Sequence, residues 1–478
     1  MQTTLNEFSD SFFCENFADL GDVFLIPVMS NYLVYAPMQG FVALLALEDV
    51  RALKDEFSGV SSEPLRAFLK KSGVVSADIP RDNQNGDSSW APTSVTFSNT
   101  QKCTLRCTYC YADGGRLDDA VISKPIVDAA VDLIIANAIE KGVEPSVNFL
   151  GEGEATADWS TFDYIISSFR EKCRAKNVSS FVEVSTNGVF PIKRVAYLVE
   201  NVDQITFSLD GIEFSHDQHR VLPNGKGSFG KVVETMKEFD RLKKDYSIRS
   251  TATLDAVHFL PDFVEFVGCN LATKNIHVEP AFDMSNVALT AKSIDVPPSQ
   301  LFVEQYRKAR QVAAEYDIVL YFSGADLATR DAFCGVSNAR NMIVTAKGTV
   351  TSCNEVLRKE DRRASTFQYG SWDLGKKKFV FDGQRIAELK KVSVNNIPKC
   401  QGCFAKYNCA GDCYAKTMAS HGDVFTDSYT ERCAVTRELL KDNLLIKLLS
   451  DMPELARSEA RAESIKTDPA AQSKSIPL

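Results

Sequence analysis

Ten of the chain's 13 cysteines fall into two groups. The first is Cys103-Thr-Leu-Arg-Cys107-Thr-Tyr-Cys110, a CxxxCxxC run directly after the strand-like segment SVTF (94–97). Three thiolates this close can hold three irons of a [4Fe–4S] cube and leave the fourth iron for another ligand. A zinc site normally takes four protein ligands, and no His lies beside this run. The second group is Cys334, Cys353, Cys400-x2-Cys403-x5-Cys409-x3-Cys413 and Cys433. A zinc ribbon would account for four of these, not seven. Cys14, Cys173 and Cys269 are scattered, and scattered cysteines are usually small buried hydrophobes. The odd count speaks against a disulfide framework.

Composition narrows the setting. The chain has 478 residues, 44% of them hydrophobic, and a formal charge of −9. Length alone suggests about three domains. An acidic balance without a long basic run disfavours a nucleic-acid backbone binder. The longest uninterrupted apolar run is Phe41–Leu47, far short of the ~18–20 residues of a bilayer span. MQTTLNEFSDSFF at the start has neither a basic nor an apolar signal region. The expectation is a cytoplasmic protein with no membrane or nucleic-acid partner.

The elements that must position the cysteines divide the chain into stretches. Residues 1–76 read as a small N-terminal α+β module. VFLIPV (23–28) and YLVYAP (32–37) look like strands, followed by short helices in 47–57 and 62–72. Residues 77–92 are a polar, Pro- and Gly-containing linker. Residues 93–322 alternate strand and helix, with strands at 94–97, 147–150, 181–186, 205–210, 248–254 and 275–282. The clearest helix is 124–141, with Ser123 as N-cap, Pro125 in its first turn and Gly142 as stop. Six βα units predict α/β architecture, a partial (β/α)6 TIM-like barrel with chemistry at the C-terminal strand ends. Residues 323–433 read as an irregular, Cys-rich domain held by metal. Residues 434–478 read as an amphipathic helix, 434–450, and a disordered polar tail.

CTLRCTYCYADGG resembles the signature of the radical SAM superfamily. The resemblance implies a cluster whose free iron chelates S-adenosylmethionine, and cleavage to a 5′-deoxyadenosyl radical that abstracts hydrogen. It implies that Tyr109 packs near the adenine. FLGEGEAT (149–156) resembles the strand end that binds the SAM amino group, with Gly153 and Glu154 in place and Ala155 where Pro is usual. STNG (185–188) resembles the ribose-contacting strand end, which points to Ser185 and Asn187. SLDG (208–211) and HDQHRVLPNGKGSFG (216–230) resemble the next, making Ser208 and Arg220 candidates for the SAM carboxylate.

The second cysteine group resembles the SPASM extension of radical SAM enzymes that modify peptides. It implies two auxiliary [4Fe–4S] clusters, three clusters in all. Cys400, Cys403, Cys409 and Cys433 would hold one; Cys334, Cys353 and Cys413 would hold the other. FSGADLATRDAF (322–333) offers no fourth Cys. The open iron would bind a substrate thiolate, or be capped by Cys269, Cys14, Asp326, Asp331 or water. The sulfatase-maturing branch has an acidic residue directly after the Cys matching Cys353; here it is Asn354, with Glu355 one residue on. An amide cannot take a proton near neutral pH.

These features predict an enzyme, a radical SAM oxidoreductase acting on a peptide or small protein. The expected reaction is a thioether or carbon–carbon crosslink in a ribosomally made precursor, with a flavodoxin- or ferredoxin-type reductant. Glu355 and Cys269 are the candidate catalytic residues. The N-terminal module would be a leader-peptide recognition element or a structural cap. Formylglycine formation and peptide epimerisation are the rival reactions. An iron–sulfur electron-transfer protein is the non-enzyme rival, and it leaves the SAM-like strand ends unexplained.

Overall fold

SVNF, FVEVST and QITFS alternate apolar and polar residues, which in a strand sends one set to each face. The computed structural model describes residues 15–17, 22–28, 31–46, 67, 70–71, 90–287 and 293–451. The helix expected in 47–57, most of the one expected in 62–72, most of the linker, the polar tail and Cys14 lie outside these residues, while 67, 70 and 71 are helical.

Four strands, β1 (Glu15–Phe17), β2 (Val23–Val28), β3 (Asn31–Ala36) and β4 (Phe41–Ala46), form an antiparallel sheet in sequence order. The apolar run at 41–47 thus supplies an edge strand. The main sheet starts with β5 (Ser94–Ser98), helix α1 (Lys124–Lys141), β6 (Ser146–Phe149), α2 (Trp159–Ala175) and β7 (Phe181–Thr186). It continues through β8 (Gln204–Ser208), α3 (Glu213–His219), α4 (Phe229–Arg241), β9 (Ser247–Ala252), α5 (Leu260–Asn270) and β10 (Asn275–Pro280). Gly142 ends α1 in the left-handed conformation, φ +64°.

Neighbouring strands from β5 to β10 all pair in parallel. The expected α/β partial barrel is present, and it is longer than the six units read from sequence. After α6 (Ser299–Glu315), the three-residue β11 (Val319–Tyr321) adds a parallel strand beside β10. At the other edge, β12 (Met342–Thr345) pairs in parallel with β5. Then β13 (Thr349–Thr351), β14 (Gln368–Asp373) and β15 (Lys378–Phe381) continue antiparallel. The 11-stranded sheet has β11 and β15 as its edges and is not closed. The Cys-rich stretch is therefore not wholly irregular, since four of its strands extend the barrel sheet. It continues through α7 (Tyr414–His421) to a long helix, α8 (Glu431–Asp451).

The two faces of the barrel strands differ in kind. Val147, Phe149, Val182, Val184, Ile205, Phe207 and Ile248 are fully buried under the helices. The alternate residues Asn148, Glu183, Ser185 and Thr206 are half-buried, and Arg249 is exposed. Closed barrels usually fill this inner face with branched apolar residues. Here it is polar. Among the described residues no helix is long and apolar enough to cross a membrane.

Candidate functional site

The Cys103–Cys110 loop leaves the C-terminal end of β5 and is pinned by backbone hydrogen bonds. Arg106 N–H donates to Val221 O at 2.7 Å and Thr108 N–H to His219 O at 2.9 Å. Glu154 N–H donates to Lys102 O at 2.9 Å. Burial pushes the Cys103 thiol up to about 12, with the Cys107 charge adding to it. Burial likewise raises Cys107 to about 11, while Arg220 opposes the rise. Thiols this desolvated and mutually repelling suit a ligand that takes them as anions and supplies compensating positive charge. Asn187 Nδ2 lies 3.7 Å from Cys103 Sγ as a donor. Among the described residues no group of three or more Cys, His, Asp or Glu could hold a single metal ion. In a four-iron cube each thiolate binds a different iron, so the donor set fits a cluster.

The glycine-rich end of β6 packs on that loop. A Cβ on Gly153 would lie 2.2 Å from Lys102 O and 2.5 Å from Thr100 O. One on Gly114 would lie 2.6 Å from Glu152 O. These glycines let two backbones touch. Glu154 is 3% exposed. Its carboxylate accepts from Asn187 N at 2.8 Å, Thr186 Oγ1 at 2.8 Å and Thr156 Oγ1 at 2.8 Å. It thus ties the β6 end to the β7 end. Gly153→Ala should displace the cysteine loop, cost about 1–3 kcal/mol as an overpacked site, and lower iron retention after reconstitution. Wild-type iron content in that variant would refute the contact's importance.

The β8 end carries Asp210, 1% exposed. It accepts from Arg220 Nε at 2.7 Å, Thr251 N at 2.9 Å and the Tyr109 hydroxyl. Burial would raise the Asp210 carboxyl, but Arg220 more than offsets this and holds it below its ordinary value. Tyr109 is ringed by His219, 5.7 Å between centroids, and by the Arg220 guanidinium at 5.6 Å. His219 Nδ1 meets Thr108 Oγ1 at 2.8 Å, and its Nε2 is buried without a partner. That orphaned nitrogen beside an aromatic ring fits a polar cofactor at this end of the sheet. Ser185 and Ser208 are half-buried on the same polar face.

His216, Asp217 and Asp210 were not singled out by sequence reasoning. Asp217 Oδ1 accepts from Ser228 N and Phe229 N, both at 2.8 Å, at the start of α4. His216 Nδ1 accepts from Asp210 N at 3.1 Å, and its Nε2 lies 2.9 Å from Ser228 Oγ. Burial pushes the His216 imidazole down to about 4. A free His titrates near 6.5, so the unfolded chain takes the proton first as pH falls. Stability should drop between pH 6.5 and 4, by about 3 kcal/mol from this residue. His216→Gln should flatten that slope in urea unfolding, and an unchanged slope would contradict it.

The cysteines of the second group gather at two places in the fold. Cys400, Cys403, Cys409 and Cys433, with Lys399 and Arg437, line one recess. Burial pushes Cys400 to about 12 and Cys409 well up. Four enclosed thiols with two cations beside them fit an anionic cluster. The antiparallel N-terminal sheet docks on this turn: Tyr35 Oη donates to Asn408 Oδ1 at 2.7 Å, and Tyr407 Oη to Asp22 Oδ2 at 2.6 Å. At the second site, burial raises Cys353 well above its ordinary value and Cys413 to about 12, with the Glu355 charge next in both. Between this site and the first loop lies Tyr111. Burial raises its phenol, with the charges of Glu355, Cys110 and Cys353 adding and Arg249 opposing. Asp113, 1% exposed, pairs with Arg358 to clamp the two loops together.

Three residues outside the two cysteine groups lie elsewhere, and two of them, Cys269 and Asp326, are candidate cluster caps from the sequence. Cys173 is buried in α2, as a scattered cysteine should be. Cys269 is exposed on α5, its thiol 3.3 Å from the Tyr316 hydroxyl and turned to that partner. Asp326 is exposed and caps Ala328 N at 3.0 Å.

Residues 98–257 match the Radical SAM superfamily. A Cysteine-type anaerobic sulfatase-maturating enzyme of Clostridium novyi is 25% identical over 169 residues, 35% of this chain and 45% of that enzyme. The alignment thus spans less than half of that relative. An uncharacterized protein of Methanocaldococcus jannaschii is 23% identical over 260 residues, 53% of this chain and 82% of the relative. In structure, native anSMEcpe with bound AdoMet and Cp18Cys peptide aligns at TM-score 0.59 and 17% identity, over 76% of this chain and 100% of that one. Streptococcus suis SuiB bound to S-adenosylmethionine aligns at TM-score 0.50 and 16% identity, over 86% and 98%. At these identities the structural likeness concerns the fold.

Proposed function

Since residues 98–257 belong to the radical SAM superfamily, we propose that the chain is a peptide maturase that installs a thioether or carbon–carbon crosslink in a ribosomally made precursor. One observation carries the reading. The three-thiol loop follows the C-terminal end of β5 beside the polar face of the parallel strands, and the Asp113–Arg358 ion pair joins it to the loop after Cys353. When bound, the cluster and S-adenosylmethionine would supply a 5′-deoxyadenosyl radical that takes a hydrogen atom from the substrate.

The chain's own residues do the rest. Cys103, Cys107 and Cys110 would hold the first cluster, with Asn187 donating toward Cys103 Sγ. Gly153 keeps the β6 end close enough for backbone approach, and Glu154 fixes the β7 end through Asn187 and Thr186. Asp210 orients Arg220 and Tyr109, leaving the guanidinium charged at the strand ends. Ser185 and Ser208 present hydroxyls on the same face. Arg249, exposed on the polar face and 2.9 Å from His277 Nδ1, would meet the substrate chain. The cysteines of the second group would hold clusters able to accept the electron left after crosslinking, one substrate hydrogen leaving with 5′-deoxyadenosine and the other as a proton, for a net loss of two hydrogens. Docking of the N-terminal sheet on the Cys403–Cys409 turn supports a role for that module in presenting a leader peptide. A flavodoxin- or ferredoxin-type protein would deliver the starting electron.

Formylglycine formation is the second reading, favoured by the Clostridium novyi relative. Anaerobic turnover of the precursor encoded beside the gene, read by mass spectrometry, tests both. Loss of two hydrogens with a new internal linkage in the fragment spectrum supports crosslinking. A hydroxylamine-reactive aldehyde would replace it with formylglycine. An unmodified peptide despite SAM cleavage would refute both for that peptide.

A further inference from the structure

We propose that Glu355 is the fourth protein ligand of the centre held by Cys334, Cys353 and Cys413. The inference rests on the iron–sulfur reading of those cysteines. Three thiolates satisfy three irons of a cube and leave one open. Of the other candidates, Cys269 bonds Tyr316 on the outer helix layer and Asp326 is spent on a turn. Asp331 is exposed.

Glu355 is placed differently. Its backbone N–H donates to Cys353 Sγ at 3.4 Å. Its carbonyl accepts from Arg363 Nη2 at 3.0 Å, while Arg363 Nη1 donates to Ala415 O at 3.2 Å. Arg363 is 1% exposed. One buried guanidinium thus ties the peptide after Cys353 to the helix that begins after Cys413. The carboxylate lies within this bracket. Its Oε2 is buried and accepts no hydrogen bond; the nearest cation, Arg363 Nη1, is 3.7 Å away. Buried carboxylate oxygens are normally hydrogen-bonded, paired or bound to metal. Carboxylate oxygen is a harder donor than thiolate, so the iron it holds would differ from the other three. Asn354 Oδ1 is also buried without a partner, and its replacement is the control.

The test uses the full chain with Cys103, Cys107 and Cys110 replaced by Ala, so that only the auxiliary centres report. The parent, Glu355→Gln, Glu355→Cys and Asn354→Ala are reconstituted anaerobically with ⁵⁷Fe and read by Mössbauer and EPR spectroscopy. One iron in four of this cluster should be distinct in the parent. Glu355→Cys should convert it to the thiolate pattern, and Glu355→Gln should make it reactive to added cyanide. Asn354→Ala should match the parent. Spectra indifferent to position 355 would overturn the assignment alone. So would loss of turnover in otherwise wild-type Glu355→Gln with unchanged spectra, which would make Glu355 a base acting on substrate. A parent that takes up no iron would overturn the cluster reading and this inference with it.

Discussion

Replacing Cys103, Cys107 and Cys110 together by Ala should abolish SAM cleavage and peptide modification while leaving the protein folded. Iron should fall from about 12 to about 8 per chain, the loss of one four-iron cluster of three. The loop does not depend on its sulfurs for shape. Backbone bonds hold it to Val221, His219 and Ala120, and Gly115 N–H donates back to Gln101 O at 2.7 Å. The auxiliary recess around Cys400 and Cys433 is built from other elements. Turnover should therefore drop below detection with unfolding midpoint nearly unchanged. Iron and sulfide analysis, circular dichroism and 5′-deoxyadenosine release check this. Retained turnover in the triple variant would end the radical SAM account of the chain.

The cysteine spacings and the six parallel strands were legible because both are local. CxxxCxxC is contiguous, and strands such as FVEVST carry their period of two within a few residues. The same period held a signal that was not used: its polar members, Asn148, Glu183, Thr206 and Arg249, announce a hydrophilic inner face. What the sequence could not display was pairing at a distance. β11 and β13 are three residues each and are defined by neighbours, not by their own pattern. Asp210 matters because Thr251, Arg220 and Tyr109 converge on it from three segments. Glu154 looked like a ligand-binding residue of a glycine-rich turn. Its carboxylate instead accepts from β7, although this leaves its backbone free to serve the cofactor end. Cys269 had no local feature to separate an exposed thiol from a buried one.

Arg432→Gln should destabilise the protein by at least about 3–5 kcal/mol, the usual cost of breaking a buried ion pair from one side. Arg432 is 6% exposed and serves two buried carboxylates. Its Nε donates to Asp412 Oδ1 at 2.8 Å, and its Nη1 pairs with Glu279 Oε2. Glu279 also takes His277 Nε2 at 2.7 Å, and His277 Nδ1 meets Arg249 at 2.9 Å. The chain of contacts runs from the polar inner face of the sheet at Arg249 to the turn bearing Cys409 and Cys413. Burial would raise both carboxyls, but Arg432 reverses this, holding Glu279 well below its ordinary value and Asp412 below its own. In the wild type these groups add stability above the ordinary carboxylate range, and that contribution is lost as pH falls through their depressed values. Without Arg432 the sign inverts. Burial dominates, the carboxyls titrate high, and the unfolded chain loses its protons first as pH rises. The deficit of Arg432→Gln relative to wild type should thus be largest near pH 7 and shrink toward pH 5, in urea unfolding. Adding Glu279→Gln and Asp412→Asn should recover much of the loss by removing the stranded charges. A deficit that is flat with pH, or a triple variant no better than the single, would mean that Arg432 stabilises by packing and not by charge.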